Sequence, residues 1–398
     1  MSDMTPESPP LPFTAAELAA IRGLWPLDPG RAFTNHGSYG AVPQPVLDAV
    51  AALAARIAHN PNAFFLKDRA DLIEAARAVV GGFLHADPAG LAFVPNVTTA
   101  VSVLLGSLRL TAGDEVVTTS LAYGAVSMAM QRYAVDAGAR VRVAELTLTP
   151  DTGEILAAID EKLTARTRLV LIDQITSMTA RLFDVAAIAR PLAERGVVVA
   201  VDAAHAPGVL DLDVDALADD GVAGWIGNLH KWVCAPPGAA VLYAAPAARA
   251  WLRPLVVSWR EEEGYPTAVT YQGTSNVTSW LAAPAAIALD KELGVGAGAG
   301  ARHTTREAGR TDRCRRTRDQ AHPRRPGADV SGPVRVRGTV RRDGGDPRGA
   351  PGRTGDHRVR GRPLRARQRP PVQHTRGRRR PRPGVRRPCH AQLRDEHN

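Results

Sequence analysis

Between Asn35 and Tyr243 the apolar residues follow two alternating rhythms. In PQPVLDAVAALAARIA they recur at i, i+3, i+4 and i+7 behind a proline start, which predicts an amphipathic helix. EVVTTS, RVRVAEL, RLVLID, GVVVAVDAAH, GWIGN and AAVLYAA are instead short, β-branched and in places apolar throughout, as buried parallel strands tend to be. AYGAVSMAMQRYAVDAG and FDVAAIARPLAERG return to helical spacing between them. Strand and helix in alternation predict an α/β fold, with a mostly parallel sheet covered by helices on both faces. TSWLAAPAAIALDKELGVG predicts one more helix leaving that body, and no internal repeat is visible.

Charge divides the chain where this pattern stops. The first 300 residues hold 21 Lys and Arg against 31 Asp and Glu, a net −10, whereas the last 98 hold 29 against 9, a net +20. From Ala301 onward there is no Lys, Ile, Phe, Tyr, Trp or Met and only nine Val or Leu, so too little apolar surface exists to offset the entropy of ordering. Disorder is expected over 297–398. The segment reads as a reading-frame slip near codon 296, which would replace a patterned domain with Arg, Gly and Pro. An arginine-rich nucleic-acid arm and an unusual folded domain remain open, but the arginines lack aromatic interleaving or a repeat, so nucleic acid is not an expected partner.

The three cysteines, Cys234, Cys314 and Cys389, are widely spaced and without metal-ligand spacing, which suits a reducing compartment and predicts no metal site. The N-terminus lacks a basic stretch followed by an apolar core, and no segment approaches the roughly 20 apolar residues of a membrane span. A cytoplasmic protein without membrane contact is expected.

Only four lysines occur, and one, Lys231, sits between a histidine and a tryptophan in GNLHKWVCAPPGAAVLY. A lysine in such a turn is most often a solvated charge, but its context is unusual. Upstream, VVVAVDAAHAPG ends a buried strand with Asp202 and places His205 three residues later. Ligands of open α/β sheets collect at the carboxyl ends of strands, so Asp202 and Lys231 are predicted to converge on one crevice. An amine and a carboxylate there suit pyridoxal 5'-phosphate: the amine forms a Schiff base with the aldehyde, and the carboxylate keeps the pyridine nitrogen protonated. FVPNVTTAVSVLLGSL supplies a strand end, a turn and a helix start carrying Thr98 and Thr99, where exposed N–H groups and the positive dipole end would hold a phosphate. Threonines there are also ordinary helix caps.

These stretches, with FTNHGSYGAVPQPVLDAV, LIDQITSMTARLFDV, VVSW and YQGTSNVTSWLAAPAAI, run in order over residues 31–295, and together they resemble the class V aminotransferase family of fold-type I pyridoxal phosphate enzymes, in its epimerase branch. The resemblance implies an N-terminal arm over 1–30, a cofactor-binding large domain over 31–275, a connecting helix over 276–296 and, in 297–398, the altered remnant of a small domain. It implies that Lys231 is the Schiff-base lysine and later the general base, that Asp202 faces the pyridine nitrogen, and that His205 donates toward the phenolic oxygen. Tyr123 falls where the family stacks a ring on the cofactor. Ser177 lies where a polar group reaches the ring oxygen, and Thr98, Asn228 and His230 match phosphate-binding positions. Gly273 and Thr274 match a pair that reaches the partner subunit's phosphate, so a homodimer is implied. Asn35 and His36 match a loop near the substrate carboxylate.

The substrate implied is a small molecule of the amino acid class. Epimerisation, transamination and C–S cleavage at that amino acid share one deprotonation at Cα, so the cofactor site does not separate them. The family takes its carboxylate-binding arginine from the small domain, and none is carried over here. Cys234 is expected to pack near the turn, a match of Cys314 to a desulfurase nucleophile would be accidental, and no role falls to His59 or His85.

Overall fold

The computed structural model describes residues 14–294. The expectations placed on the first 13 residues and on 295–398, including the altered tail, Cys314 and Cys389, lie outside the described residues.

Among the described residues the chain builds a seven-stranded sheet. Its strands are β1 (Leu91–Val94), β2 (Glu115–Thr119), β3 (Arg140–Ala144), β4 (Thr167–Asp173), β5 (Val198–Asp202), β6 (Val222–Asn228) and β7 (Ala240–Ala244). They lie in the order β1-β7-β6-β5-β4-β2-β3. From β2 the chain steps outward to β3, then returns to β4 on the other side of β2 and proceeds through β5 to β6. The order therefore reverses between β2 and β4, the kind of switch point where open α/β sheets take their ligands.

The longer helices are α1 (Ala15–Gly23), α2 (Gln44–His59), α3 (Arg69–Leu84), α4 (Val97–Ser107), α5 (Gly124–Ala137), α6 (Thr152–Asp160), α7 (Val185–Ala193), α8 (Val214–Asp219) and α9 (Thr278–Glu292). Local chemistry sets several of their starts. Thr14 with Glu17, and Asp151 with Glu154, form reciprocal capping boxes at α1 and α6, and Asp184 caps α7 through the Ala187 amide.

Side chains alternate across the sheet, as the pleat demands. Val170, Ile172, Val199, Val201 and Trp225 face one core with Val46 of α2, Val80 of α3, Ile188 of α7 and Ile287 of α9. Leu169, Leu171, Ala200 and Ile226 face the other with Val101 and Leu104 of α4 and Met130 of α5. Helices thus cover both faces, and the expected α/β class is observed. Each fully buried Val, Leu, Ile or Phe side chain stabilises such a core by about 1.5–3 kcal/mol. Trp225, fully buried, also satisfies its indole N–H on Gln174 Oε1 at 2.9 Å.

One expectation needs correction. AAVLYAA reads as one of the parallel strands, but β7 runs antiparallel to both β6 and β1. The segment between Asn228 and Ala240 is a tight path through Pro236, Pro237 and Gly238, with no crossover helix. A parallel partner needs a crossover of a dozen or more residues, usually helical, so the chain folds straight back instead.

Candidate active site

Strands β4, β5 and β6 are parallel neighbours, with Asp173 opposite Asp202 and Asp202 opposite Ile226. The residues that follow each strand therefore emerge at one end of the sheet. There, a cleft of about 570 Å³, its open mouth included, is lined by Asn35, Ser38, Ser177, His205 and Trp232 among others.

Lys231 enters this region on a turn held by backbone contacts on several sides. Cys234 N donates to Lys231 O at 3.3 Å, and Ala235 N donates to Leu229 O at 3.1 Å. From far upstream, Gly40 N donates to His230 O at 2.9 Å. A Cβ at Gly40 would lie 2.1 Å from Lys231 O and 2.8 Å from His230 O, both rigid backbone atoms. Only glycine lets the two backbones approach this closely. Gly40→Ala is therefore expected to push the lysine turn away and cost about 1–3 kcal/mol, as overpacking does. Urea unfolding of the variant checks this, and an unchanged midpoint would count against the contact.

The Lys231 Nζ atom lies 3.1 Å from Nε2 of His205, and Trp232 Nε1 donates to His205 Nδ1 at 3.4 Å. Half-buried, the lysine has its pKa lowered from the usual amine range by desolvation, an effect the charge of Asp202 opposes. Asp202 is 3% exposed, and its Oδ1 accepts from Ala204 N at 3.0 Å. Burial pushes its pKa up to about 6, against the lowering effects of the Ala204 amide and Lys231. Asp173, also 3% exposed, is raised too, by desolvation first and by the neighbouring Asp202 second.

Two buried acids raised in this way make stability depend on pH. For both acids the folded pKa exceeds the unfolded one, so their contribution is full below the ordinary carboxylate range and is lost as pH rises, for Asp202 through about 6. We expect the cofactor-free protein to lose denaturant resistance as pH rises from the ordinary carboxylate range through about 6, and Asp202→Asn to flatten that slope. Parallel slopes in wild type and variant would refute the assignment.

Just after β1, Asn96 caps α4 by accepting from Thr99 N at 2.8 Å and Thr99 Oγ1 at 3.1 Å. Asn228 Oδ1 accepts from Val97 N at 3.1 Å, tying the end of β6 to the same helix start. Thr98 is exposed between these two anchors, so Asn96, not a threonine, is the cap. His230 is half-buried with Nδ1 2.9 Å from Ala239 O, and burial lowers its pKa. A carbonyl only accepts, so Nδ1 carries the proton and Nε2 is left for another partner.

Tyr123 stands before α5 with its side chain 47% exposed, not in a core. Its backbone N–H is a hydrogen-bond partner of Asp173. His36 accepts from Ala41 N through Nδ1 at 3.3 Å, and its ring sits 6.2 Å from that of Trp232. The structure thus gathers Asn35, His36, Ser177, Asp202, His205, Asn228, His230 and Lys231 at the carboxyl end of the sheet, with Thr98 and Tyr123 at adjoining helix starts.

Gly273 and Thr274 are placed elsewhere. Gly273 has φ +86° and lines a separate recess with Arg69, Arg77, Arg260 and Tyr271, and Thr274 is exposed beside it. Arg69 lies over the Tyr271 ring at 4.3 Å and donates to Gly273 O at 3.4 Å. His59 ends α2, and His85 caps α3 in a left-handed conformation. Cys234 packs at the turn, with Sγ 3.9 Å from His36 Nδ1.

Three contributors carry no role in the sequence reading: Asp173, Trp232 and Gly40. Each had a weak signal. Asp173 ends LID as Asp202 ends VD, Trp232 follows the lysine directly, and Gly40 closes NHGSYG.

Residues 40–310 match the family model described as aminotransferase class-V. The chain is 34% identical over 299 residues to isopenicillin N epimerase of Streptomyces clavuligerus, covering 71% of this chain and 74% of that protein. It is 30% identical over 272 residues to L-cysteine desulfhydrase of Arabidopsis thaliana, covering 64% of this chain and 59% of that one. Among solved structures, a mutant of C-DES with glycine covalently linked to the pyridoxal phosphate cofactor superposes with a TM-score of 0.61 at 25% identity, over 69% of this chain and 74% of that one.

Proposed function

Because the chain belongs to the aminotransferase class-V family and is an enzyme of its pyridoxal 5'-phosphate type, we propose that it removes and returns the Cα proton of an amino acid, as an epimerase of the isopenicillin N epimerase kind. The observation that carries this reading is a single cluster: the desolvated Lys231 amine at 3.1 Å from His205, with the buried Asp202 carboxylate acting on it.

The residues present fit the cofactor. A carboxylate that burial pushes up to about 6 suits a cationic ring nitrogen, which would hold it ionised. A lysine with a lowered pKa suits an aldehyde, because only the neutral amine attacks. A helix start with an exposed threonine suits a phosphate. In this reading Asp202 would hold the ring nitrogen, Lys231 the aldehyde, and Thr98, Asn228 and His230 would flank the phosphate. His205 and Ser177 would serve the phenolic oxygen, and Tyr123 would cover the ring.

When bound, the cofactor withdraws electrons from the substrate's Cα and so acidifies its proton. Lys231 Nζ then takes that proton as general base, the direct consequence of its lowered pKa. Asp202 keeps the charge at the ring nitrogen fixed while the proton is away. Asn35 and His36, at the cleft mouth, would orient the substrate carboxylate. Among the described residues no arginine lines that cleft.

Gly273 and Thr274 would extend to the phosphate of a second copy, making a homodimer. The segment around Val257 and Trp259, 72% and 94% exposed, is the kind of apolar surface a second copy would cover. In this reading residues 31–275 would form the cofactor-binding domain, with a connecting helix after it. No helix among the described residues is long and apolar enough to cross a membrane.

The similarity to L-cysteine desulfhydrase and to C-DES favours a second reading, C–S cleavage. Both readings begin with loss of the Cα proton and differ in whether a solvent-exchanged proton is delivered to the opposite face or a β-sulfur substituent departs. Incubating the cofactor-loaded protein with amino acids in heavy water tests them together. Deuterium at Cα with inverted configuration supports epimerisation, sulfide release supports cleavage, and neither Cα exchange nor sulfide sinks both.

A further inference from the structure

We propose that Trp232 is a positioning residue: its indole N–H, donated to Nδ1 of His205, fixes that ring with its proton on Nε2 and so presents a hydrogen-bond donor to Lys231 Nζ. An indole nitrogen can only donate, so the atom it meets at 3.4 Å must accept. A neutral imidazole carries one N–H, hence Nε2 holds it. Nε2 lies 3.1 Å from Nζ. A bond donated from Nε2 needs a lone pair on Nζ, which an ammonium lacks and a free amine has. Only one direction of hydrogen bonding satisfies all three residues, and it ends on a neutral lysine.

The indole is not free to turn away. A Cβ at Gly37 would sit 3.1 Å from Trp232 Cζ2, and one at Gly208 would sit 2.8 Å from the Trp232 carbonyl carbon, so two glycines let loops close on this residue. The remaining titratable groups that face the pair arrive from several elements. Asp202 at the end of β5 favours the ammonium, and desolvation opposes it. His230, on the same turn, has its own pKa lowered by burial, as has His36 on the loop against Trp232. The Cys234 thiol lies 3.9 Å from His36 Nδ1, and Asp173 acts on Asp202. With Asp202 pulling toward the charged form, the directed donor from His205 adds to desolvation in favouring the neutral amine, so the lysine meets an aldehyde without first shedding a proton.

The consequence of the tautomer rests on reading Lys231 as the aldehyde's partner; the tautomer itself does not. The test therefore begins on cofactor-free protein labelled with ¹⁵N-histidine, using two-bond nitrogen–proton correlations to see which ring nitrogen is protonated. His205 is assigned by the signal lost in His205→Asn. The wild type should show Nε2 protonated and Nδ1 bare. Trp232→Phe, or the benzothienyl analogue of tryptophan that keeps the shape without the N–H, should bring protonation to Nδ1. The same variants should raise the pH midpoint for capture of pyridoxal 5'-phosphate by about one unit, a tenfold slower capture near neutrality. The proposal is overturned if Nδ1 is protonated in the wild type, if the benzothienyl analogue leaves the tautomer unchanged, or if the tautomer changes while the midpoint stays. Should Lys231→Ala keep the visible absorbance of the bound cofactor, the functional reading fails and the tautomer assignment stands.

Discussion

Lys231→Ala is expected to yield a protein that folds, still takes up some pyridoxal 5'-phosphate, and lacks the visible absorbance that a lysine-linked cofactor gives. Exchange of the Cα proton should fall on the order of 10²–10⁴-fold, the usual contribution of a positioned general base. The side chain is half-buried and sits on a turn whose backbone is held by Gly40, Cys234 and Ala235, so its removal leaves the turn's own hydrogen bonds intact. Its loss also removes a group whose charged form burial disfavours, so no large fall in stability accompanies it. A variant that kept both colour and exchange would place the chemistry on an amine other than Lys231 and overturn the assignment.

Asp202→Asn should be the second most damaging change, with a different signature. The amide keeps the shape of the carboxylate but cannot hold a cationic ring nitrogen, so catalysis should drop on the order of 10²–10³-fold, as when one fixed electrostatic partner is lost. Cofactor-free protein should meanwhile be no less stable near neutral pH, because a carboxylate whose ionisation burial penalises has been replaced by a neutral group. Kinetics of Cα exchange alongside denaturant unfolding separates this from simple misfolding. Reduced stability with normal exchange would mean that Asp202 is only a structural acid.

Much of this site was legible in one dimension. A run such as VVVAVD states both that a strand is buried and that it ends in a charge, and a buried strand ending in Asp202 has few bland explanations. The turn holding Lys231 was marked by its Pro-Pro-Gly stop, and the start of α4 by its polar residues. What stayed hidden depends on partners far away in the chain. Asp173 became an electrostatic neighbour of Asp202 only through the pairing of β4 with β5. Whether Trp232 packs or donates was undecidable until His205 was set at 3.4 Å from its nitrogen. The direction of β7 was readable from the short connection before it, had loop length been weighed against strand composition.

The bond from Gly40 to the His230 carbonyl joins two points separated by nearly half the polypeptide. The reactive turn therefore takes one of its anchors from the leading segment, so a change around residue 40 reaches the lysine without touching the strand that leads into it.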